Sequence, residues 1–188
     1  MAADAVATRR RFTRMEYARM AEAGVFGERD RVELIQGEIV QLSPPGRHHR
    51  AYVNNLTWLL SRRLPEHAMV SVQNPLPLGD DTEPQPDVAV LRGRAVSFKD
   101  REAAAADAVL VIEVADTSLA YDRSIKARLY AQAGILEFWV VDCAAETVEV
   151  HREPSADGYR DVRLVSGAAE IAIQAFPDVV VRTTDIFA

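Results

Sequence analysis

Lysine is almost missing from this chain. Of its 22 basic residues only Lys99 and Lys126 are lysine, and the other 20 are arginine. Arginine carries a permanent, spread charge, whereas lysine is a compact charge with a tunable pKa. A lysine kept against such a bias is a candidate for chemistry that arginine cannot do, with retention by chance as the alternative. Cysteine is scarcer still. Cys143 stands alone, which excludes an intrachain disulfide framework and argues against a Cys-based zinc site. A reducing cytoplasm is the expected compartment. No apolar run is long enough to span a bilayer, so no membrane association is expected. Basic residues near the start (Arg9, Arg10, Arg11) are not followed by an apolar stretch, so no secretory signal is expected. Net positive charge is also lacking. The formal charge of −6 excludes coating of nucleic acid by bulk electrostatics, while leaving room for a local basic rim.

What is present suffices for one folded unit. The 188 residues are 48% hydrophobic, enough for a core of ordinary size. A flexible tail is expected over residues 1–11 and a single domain over 12–188. Thr13-Arg14-Met15-Glu16 reads as a capping box that opens a helix to about Ala23. Arg31 to Ile35 and Glu38 to Leu42 alternate around Gln36-Gly37, the pattern of a tight hairpin. After Ser43-Pro44-Pro45-Gly46 a helix is expected from His48 to Leu64, with Val53, Leu56, Leu60 and Leu64 inward. His49 falls on that same side.

Met69 to Leu78 and Asp87 to Leu91 read as strands, and Glu102 to Ala106 as a short helix. Val109 to Val114 is apolar enough to be a central strand buried on both faces. A helix from Ala120 to Ala133 ends at Gly134, and Leu136 to Val141 is another buried strand. Shorter strands follow at Thr147 to His151, Tyr159 to Val165 and Glu170 to Ile173. This order predicts an α/β, mixed α+β chain: a mixed sheet flanked by helices, with a β-rich C-terminal part.

Glu113 interrupts the most apolar strand. An ionised carboxylate there is costly unless paired or bound to a metal; the alternative is a position at the strand end, facing water. Asp87 follows Pro86 at the start of a second strand. If the two strands pair, both carboxylates converge at one sheet end, and two hard oxygen ligands suit Mg²⁺ or Mn²⁺. Lys126 lies four residues after Asp122. That spacing fits either an ordinary surface ion pair or a lysine reaching over the sheet edge. Glu33 is either a further acidic ligand or an outward-facing residue in normal alternation. His49 is either a supporting group or a hydrogen-bonded core histidine. Trp139 reads as core and Asp142 as a turn residue.

Several segments taken in order resemble a known pattern. They are Glu33-Leu34-Ile35-Gln36-Gly37-Glu38-Ile39, Ser43-Pro44 with His49, Pro86-Asp87, and Glu113-Val114. Asp122 with Lys126 and Tyr130 follows, then Ala133-Gly134-Ile135 and Glu137 to Asp142. Over about Phe12 to Ile186 the chain resembles a bacterial family of restriction-endonuclease-like proteins of unknown function, within the PD-(D/E)XK nuclease superfamily. The superfamily's usual lysine, two residues after the glutamate, is replaced by Ala115, and the resemblance moves its role to Lys126.

The resemblance implies a restriction-endonuclease-like core and Mg²⁺-dependent hydrolysis of phosphodiester bonds. Asp87, Glu113 and the Val114 carbonyl would hold the metal, Lys126 would act on the attacking water, and Glu33 and His49 would support them. Arg47 and Arg50 would meet phosphates. The implied partners are nucleic acid, DNA before RNA, and a second copy of the chain in a homodimer. Two alternatives remain. One is a catalytically inactive module on the same fold that binds nucleic acid or protein. The other is an enzyme for a smaller phosphate ester.

Overall fold

A computed structural model describes residues 8–28 and 30–188. The first seven residues of the expected tail lie outside them. At the described end of that tail the Arg11 guanidinium donates to Gln36 O of the hairpin below at 3.0 Å.

Helix α1 (Arg14–Glu22) starts at the expected capping box, with Thr13 and Glu16 each capping the other's backbone N–H. Strands β1 (Val32–Ile35) and β2 (Glu38–Gln41) form the hairpin. Gln36 (φ 50°) and Gly37 (φ 77°) both occupy the left-handed region, as a primed two-residue turn requires. The polar turn around residues 80–85 is laced to this hairpin. Glu83 N–H donates to Leu34 O at 2.7 Å, and Gln85 N–H donates to the Glu33 carboxylate at 2.8 Å.

Helix α2 (Arg47–Arg63) follows. The main sheet comprises β3 (Ala68–Val72), β4 (Val88–Arg92), β5 (Ala108–Ala115), β6 (Glu137–Asp142), β7 (Thr147–Ser155) and β8 (Gly158–Ser166), side by side in that order. Only β5 and β6 are parallel; the other neighbouring pairs are antiparallel. Their connection is helical over residues 119–132, as a crossover between parallel strands demands. It consists of α3 (Leu119–Tyr121), a π-helical turn (Asp122–Lys126) and α4 (Ala127–Gln132). Two further strands, β9 (Glu170–Ile173) and β10 (Phe176–Arg182), pair with each other, and α5 (Thr183–Phe187) ends the chain.

Every residue of β5 and β6 is buried, because both faces of the sheet are covered. Leu56 and Leu60 of α2 pack with Val88, Leu110, Ile112 and Trp139 on one face. Ile171, Ile173, Val181 and Ile186 close that same core. Tyr130 and Ala127 of α4 pack with Val111, Phe138 and Val140 on the other face.

Four expectations need correction. The first strand of the sheet stops at Val72 rather than Leu78: Gln73 turns to φ 49°, and Pro75 and Pro77 have no N–H for a ladder. The short helix expected at Glu102 to Ala106 is a 3₁₀ turn, Ala105–Asp107, held by Asp107 accepting from the Ala104 N–H and from Arg101. Strand β10 and helix α5 were not expected at all. Pro177 inside β10 and the short length of α5 hide both from periodicity. The third helix is not uniformly α-helical but carries the π turn described above.

Candidate active site

Strands β4 and β5 pair antiparallel, with Val88 opposite Ile112. That register carries Asp87, just before β4, to the same sheet end as Glu113. Both carboxylates are buried, so Glu113 does not sit at a solvated strand end. Each has a set of partners that explains how it can be there.

Asp87 is held by three donors. His49 Nε2 lies 2.9 Å from Oδ1, Gln73 Nε2 donates to the same oxygen at 3.2 Å, and the Val114 N–H donates to Oδ2 at 2.9 Å. Burial pushes the Asp87 carboxyl up, but these hydrogen bonds outweigh it and hold it below the usual carboxylate range. His49 is thus buried, as its place on the α2 stripe predicted, and its imidazole reaches from one face of the sheet to the strand end. Its Nδ1 has no partner among the described residues.

Glu113 accepts at Oε1 from Lys126 Nζ at 2.9 Å and from the Tyr130 hydroxyl at 2.6 Å. Lys126 Nζ also donates to Glu33 Oε1 at 2.9 Å. Lys126 is therefore not half of a surface ion pair with Asp122. It is buried and enclosed by two carboxylates. The π turn explains this. One residue more per turn than an α-helix rotates the following positions, and such turns recur at functional sites. Asp122, Lys126 and Tyr130 all become buried.

Burial pushes Glu113 up to about 8, with Lys126 pulling it back and the charges of Asp87, Asp122 and Glu33 adding to the rise. Burial lowers the Lys126 ammonium, but the charges of Glu113, Glu33 and Asp122 outweigh this and hold it above its ordinary value. Lys126 is thus a fixed cation. Two of its three N–H donors are spent on carboxylates, which leaves one for the cleft. Glu33 is completely buried, against the outward-facing alternative, because the segment that leads to Asp87 covers β1.

A cleft of about 230 Å³ opens over this cluster and is lined in part by Asp87, Glu113, Lys126 and His49. Arg31, Asp116, Tyr121 and Asp122 line it too, and none of these was singled out as a site residue from sequence. Asp122 stood in the resembling pattern only as a neighbour of Lys126, and the polar run Asp116-Thr117-Ser118 directly after β5 was a further local signal. Asp116 reaches the start of α2, where a Cβ on Gly46 would overlap its carboxylate. A negative group is favoured at a helix N-terminus, and only glycine lets it come this close. Asp122 is pushed up to about 6, chiefly by burial, with the Ser118 hydrogen bond and Lys126 opposing and the charges of Asp87 and Glu33 adding.

Arg47 and Arg50 do not join the cluster. Both are exposed, and Arg50 donates to Pro45 O at 2.7 Å. Asp142 is a turn residue, accepting from the Ala144 and Ala145 N–H groups. Trp139 is core, with its indole N–H on Glu137.

Among the described residues no group of three or more His, Cys, Asp and Glu side chains is gathered as a metal cage. The donors that fit a hard cation are fewer: Asp87, the Oε2 atom of Glu113 and the Val114 carbonyl. Mg²⁺ keeps several waters and is commonly held by one or two carboxylates, so this set fits it. Asp87 and Glu113 also repel one another, and a bound cation would relieve that repulsion.

A six-stranded mixed sheet flanked by helices, with two carboxylates and a lysine at one strand end, defines a nuclease-like fold of the restriction-endonuclease type. The chain belongs to the Uma2 family: its model, described as "Putative restriction endonuclease", matches residues 14–184. A solved structure from Anabaena variabilis ATCC 29413, titled as a "putative nuclease belonging to DUF820", shares the fold with a TM-score of 0.66. At 18% identity the likeness covers 83% of this chain and 89% of that one. No curated protein matches the sequence. No helix among the described residues is long and apolar enough to cross a membrane.

Proposed function

We propose that this protein is a metal-dependent nuclease that hydrolyses phosphodiester bonds in the cleft over Asp87, Glu113 and Lys126. The observation that carries this reading is the reach of Lys126 from the crossover helix to Glu113 at 2.9 Å. It supplies the cation that Ala115 cannot.

Asp87, Glu113 and the Val114 carbonyl would hold Mg²⁺ or Mn²⁺. Such an ion, when bound, lowers the pKa of a water and offsets charge on phosphoryl oxygens. His49 orients Asp87 through Oδ1, and the Val114 N–H holds the other oxygen. Tyr130 donates to Glu113 at Oε1, which leaves Oε2 for the cleft. Glu33 positions Lys126 so that its remaining N–H meets either the attacking water or a phosphoryl oxygen, where a fixed cation favours the developing charge. Arg47 and Arg50, outside the cleft, would contact neighbouring phosphates. DNA is the expected substrate before RNA, and a homodimer the expected assembly.

The test is incubation with single- and double-stranded DNA and RNA in Mg²⁺ or Mn²⁺, beside Asp87→Ala, Glu113→Ala and Lys126→Ala. Cleavage by wild type that EDTA and each substitution abolish supports the reading. Cleavage untouched by the substitutions, or none by wild type, rejects it. The net charge of −6 and the displaced lysine, with Ala115 two residues after Glu113, favour a second reading, an inactive module that binds nucleic acid or protein. Binding without cleavage in that experiment would select it.

A further inference from the structure

Helix α2 carries four arginines (Arg47, Arg50, Arg62 and Arg63) and no aspartate or glutamate, in a chain of net charge −6. Its apolar side is spent on the core. The opposite side presents Arg47, Ala51, Asn54, Trp58 and Arg62, at steps of four, three, four and four residues, which is one helical face. All five are exposed.

Trp58 is 60% exposed, and the Arg62 guanidinium lies over its ring, 4.9 Å from the centroid. A single exposed apolar side chain is ordinary on a protein surface. This one differs in its neighbours. Among the described residues Arg47, Arg50 and Arg62 form no ion pair, whereas Arg63 is tied to Asp185 at 3.2 Å and to Val180 O. Arg63 therefore falls outside the strip. The first turn of α2 adjoins the cleft, since Pro45 and His49 line it. From Arg47 the strip runs roughly 22 Å to Arg62 at the helical rise per residue.

We infer that this face of α2 is a track for a single-stranded segment of nucleic acid that enters or leaves the cleft. Arg47 and Arg50 bind its phosphates next to the cleft, Trp58 stacks on an unpaired base, and Arg62 completes the platform. The inference rests on the nuclease reading of the cleft and adds the form of the substrate. A paired base inside a duplex does not offer its face to a side chain, so the exposed indole selects single strands. Stacking and phosphate contact are both tolerant of sequence, so the track confers no base preference.

The protein contains its own probe. It has two tryptophans, and Trp139 is fully buried, so a change in emission on binding reports on Trp58. Oligo(dT) is titrated in EDTA, with fluorescence and anisotropy read together, so that no cleavage is needed. Quenching is expected with wild type and none with Trp58→Phe. Trp58→Ala weakens binding about tenfold, the usual scale for one stacked base. Replacing Arg47 and Arg50 together with glutamine flattens the salt dependence by about 1.4 in the log–log slope, or 0.7 per phosphate contact on a single strand.

No binding by wild type, or affinity and slope unchanged in these variants, overturns the track. So would sedimentation showing a dimer that Trp58→Ala dissociates, because the face would then belong to a second copy. Cleavage in the earlier assay with unchanged oligo(dT) binding here rejects the track and keeps the nuclease. Quenching here without cleavage there does the reverse.

Discussion

The ammonium of Lys126 sits 2.9 Å from Oε1 of Glu33, a residue 93 positions earlier in the chain. No helix-surface pairing rule reaches that far. The contact ties the N-terminal hairpin to the crossover helix across the sheet end, and with Glu113 it makes a buried lysine tolerable.

Removing that lysine should therefore cost stability as well as activity. Lys126→Met leaves Glu33 and Glu113 buried without their cation, at a cost of about 3–5 kcal/mol. Adding Glu33→Gln should recover part of it. Urea denaturation of the single and double variants measures both. Additive losses would mean that the two residues do not act as a pair.

Lys126→Arg should behave as a disruptive change rather than a conservative one. A planar guanidinium needs more room than a buried ammonium placed between two carboxylates, and overpacking of this kind costs about 1–3 kcal/mol. Activity should fall at least tenfold on the scale of a misplaced catalytic group. Equal turnover by the arginine variant would show that only the charge matters.

Asp122 offers a pH test. Its folded pKa is raised to about 6 from an ordinary 3.8, chiefly by burial, so folding favours the protonated acid. Its contribution is most favourable below pH 3.8 and is lost as pH rises through 6. Asp122→Asn removes the penalty of the buried charge while leaving an oxygen to accept from Ser118. It should match wild type near pH 4 and exceed it at pH 7 by on the order of 2 kcal/mol. Paired melts at the two values measure the difference, and a constant gap would contradict the assignment.

Proton and cation compete for Glu113. Its carboxyl is raised, chiefly by burial, so as pH falls a cation must increasingly displace a proton. Affinity for Mn²⁺, read by calorimetry, should rise between pH 6 and 8 and level above that. Asp87→Asn should weaken it by tenfold or more, on the scale of losing a charged ligand. Affinity independent of both changes would place the metal elsewhere.

Glu137, far from the cleft, tests the C-terminal part. It is fully buried and accepts from Trp139, Arg152 and the Gln174 N–H, which docks the turn after β9 onto the sheet. Glu137→Ala should cost about 1–3 kcal/mol by leaving the buried Trp139 indole N–H and the Gln174 N–H without their acceptor. Hydrogen exchange should show β9 and β10 losing protection first, and uniform loss would argue against local docking.

The sequence by itself determined whatever depends on neighbouring residues. The capping box at Thr13, the Gln36-Gly37 turn, the α2 stripe that turns His49 inward and the two buried strands around Ile112 and Val140 all follow from spacing of a few residues. Asp87 and Glu113 were legible as well, because a carboxylate at the edge of an apolar run is conspicuous. Tertiary structure decided the rest. Spacing left Lys126 either as a partner for Asp122, because an α-helix puts i and i+4 together, or reaching over the sheet edge, and a π turn with two carboxylates from other elements decided for the second. Glu33 alternates like a solvent-facing residue, and it is buried only because the segment leading to Asp87 folds over β1. Arg47 and Arg50 adjoin His49 in sequence yet point to water, since one helix residue turns its neighbours by about a quarter of a circle or more. Burial of a charge is a property of everything packed around it, and that depends on contacts tens of residues apart.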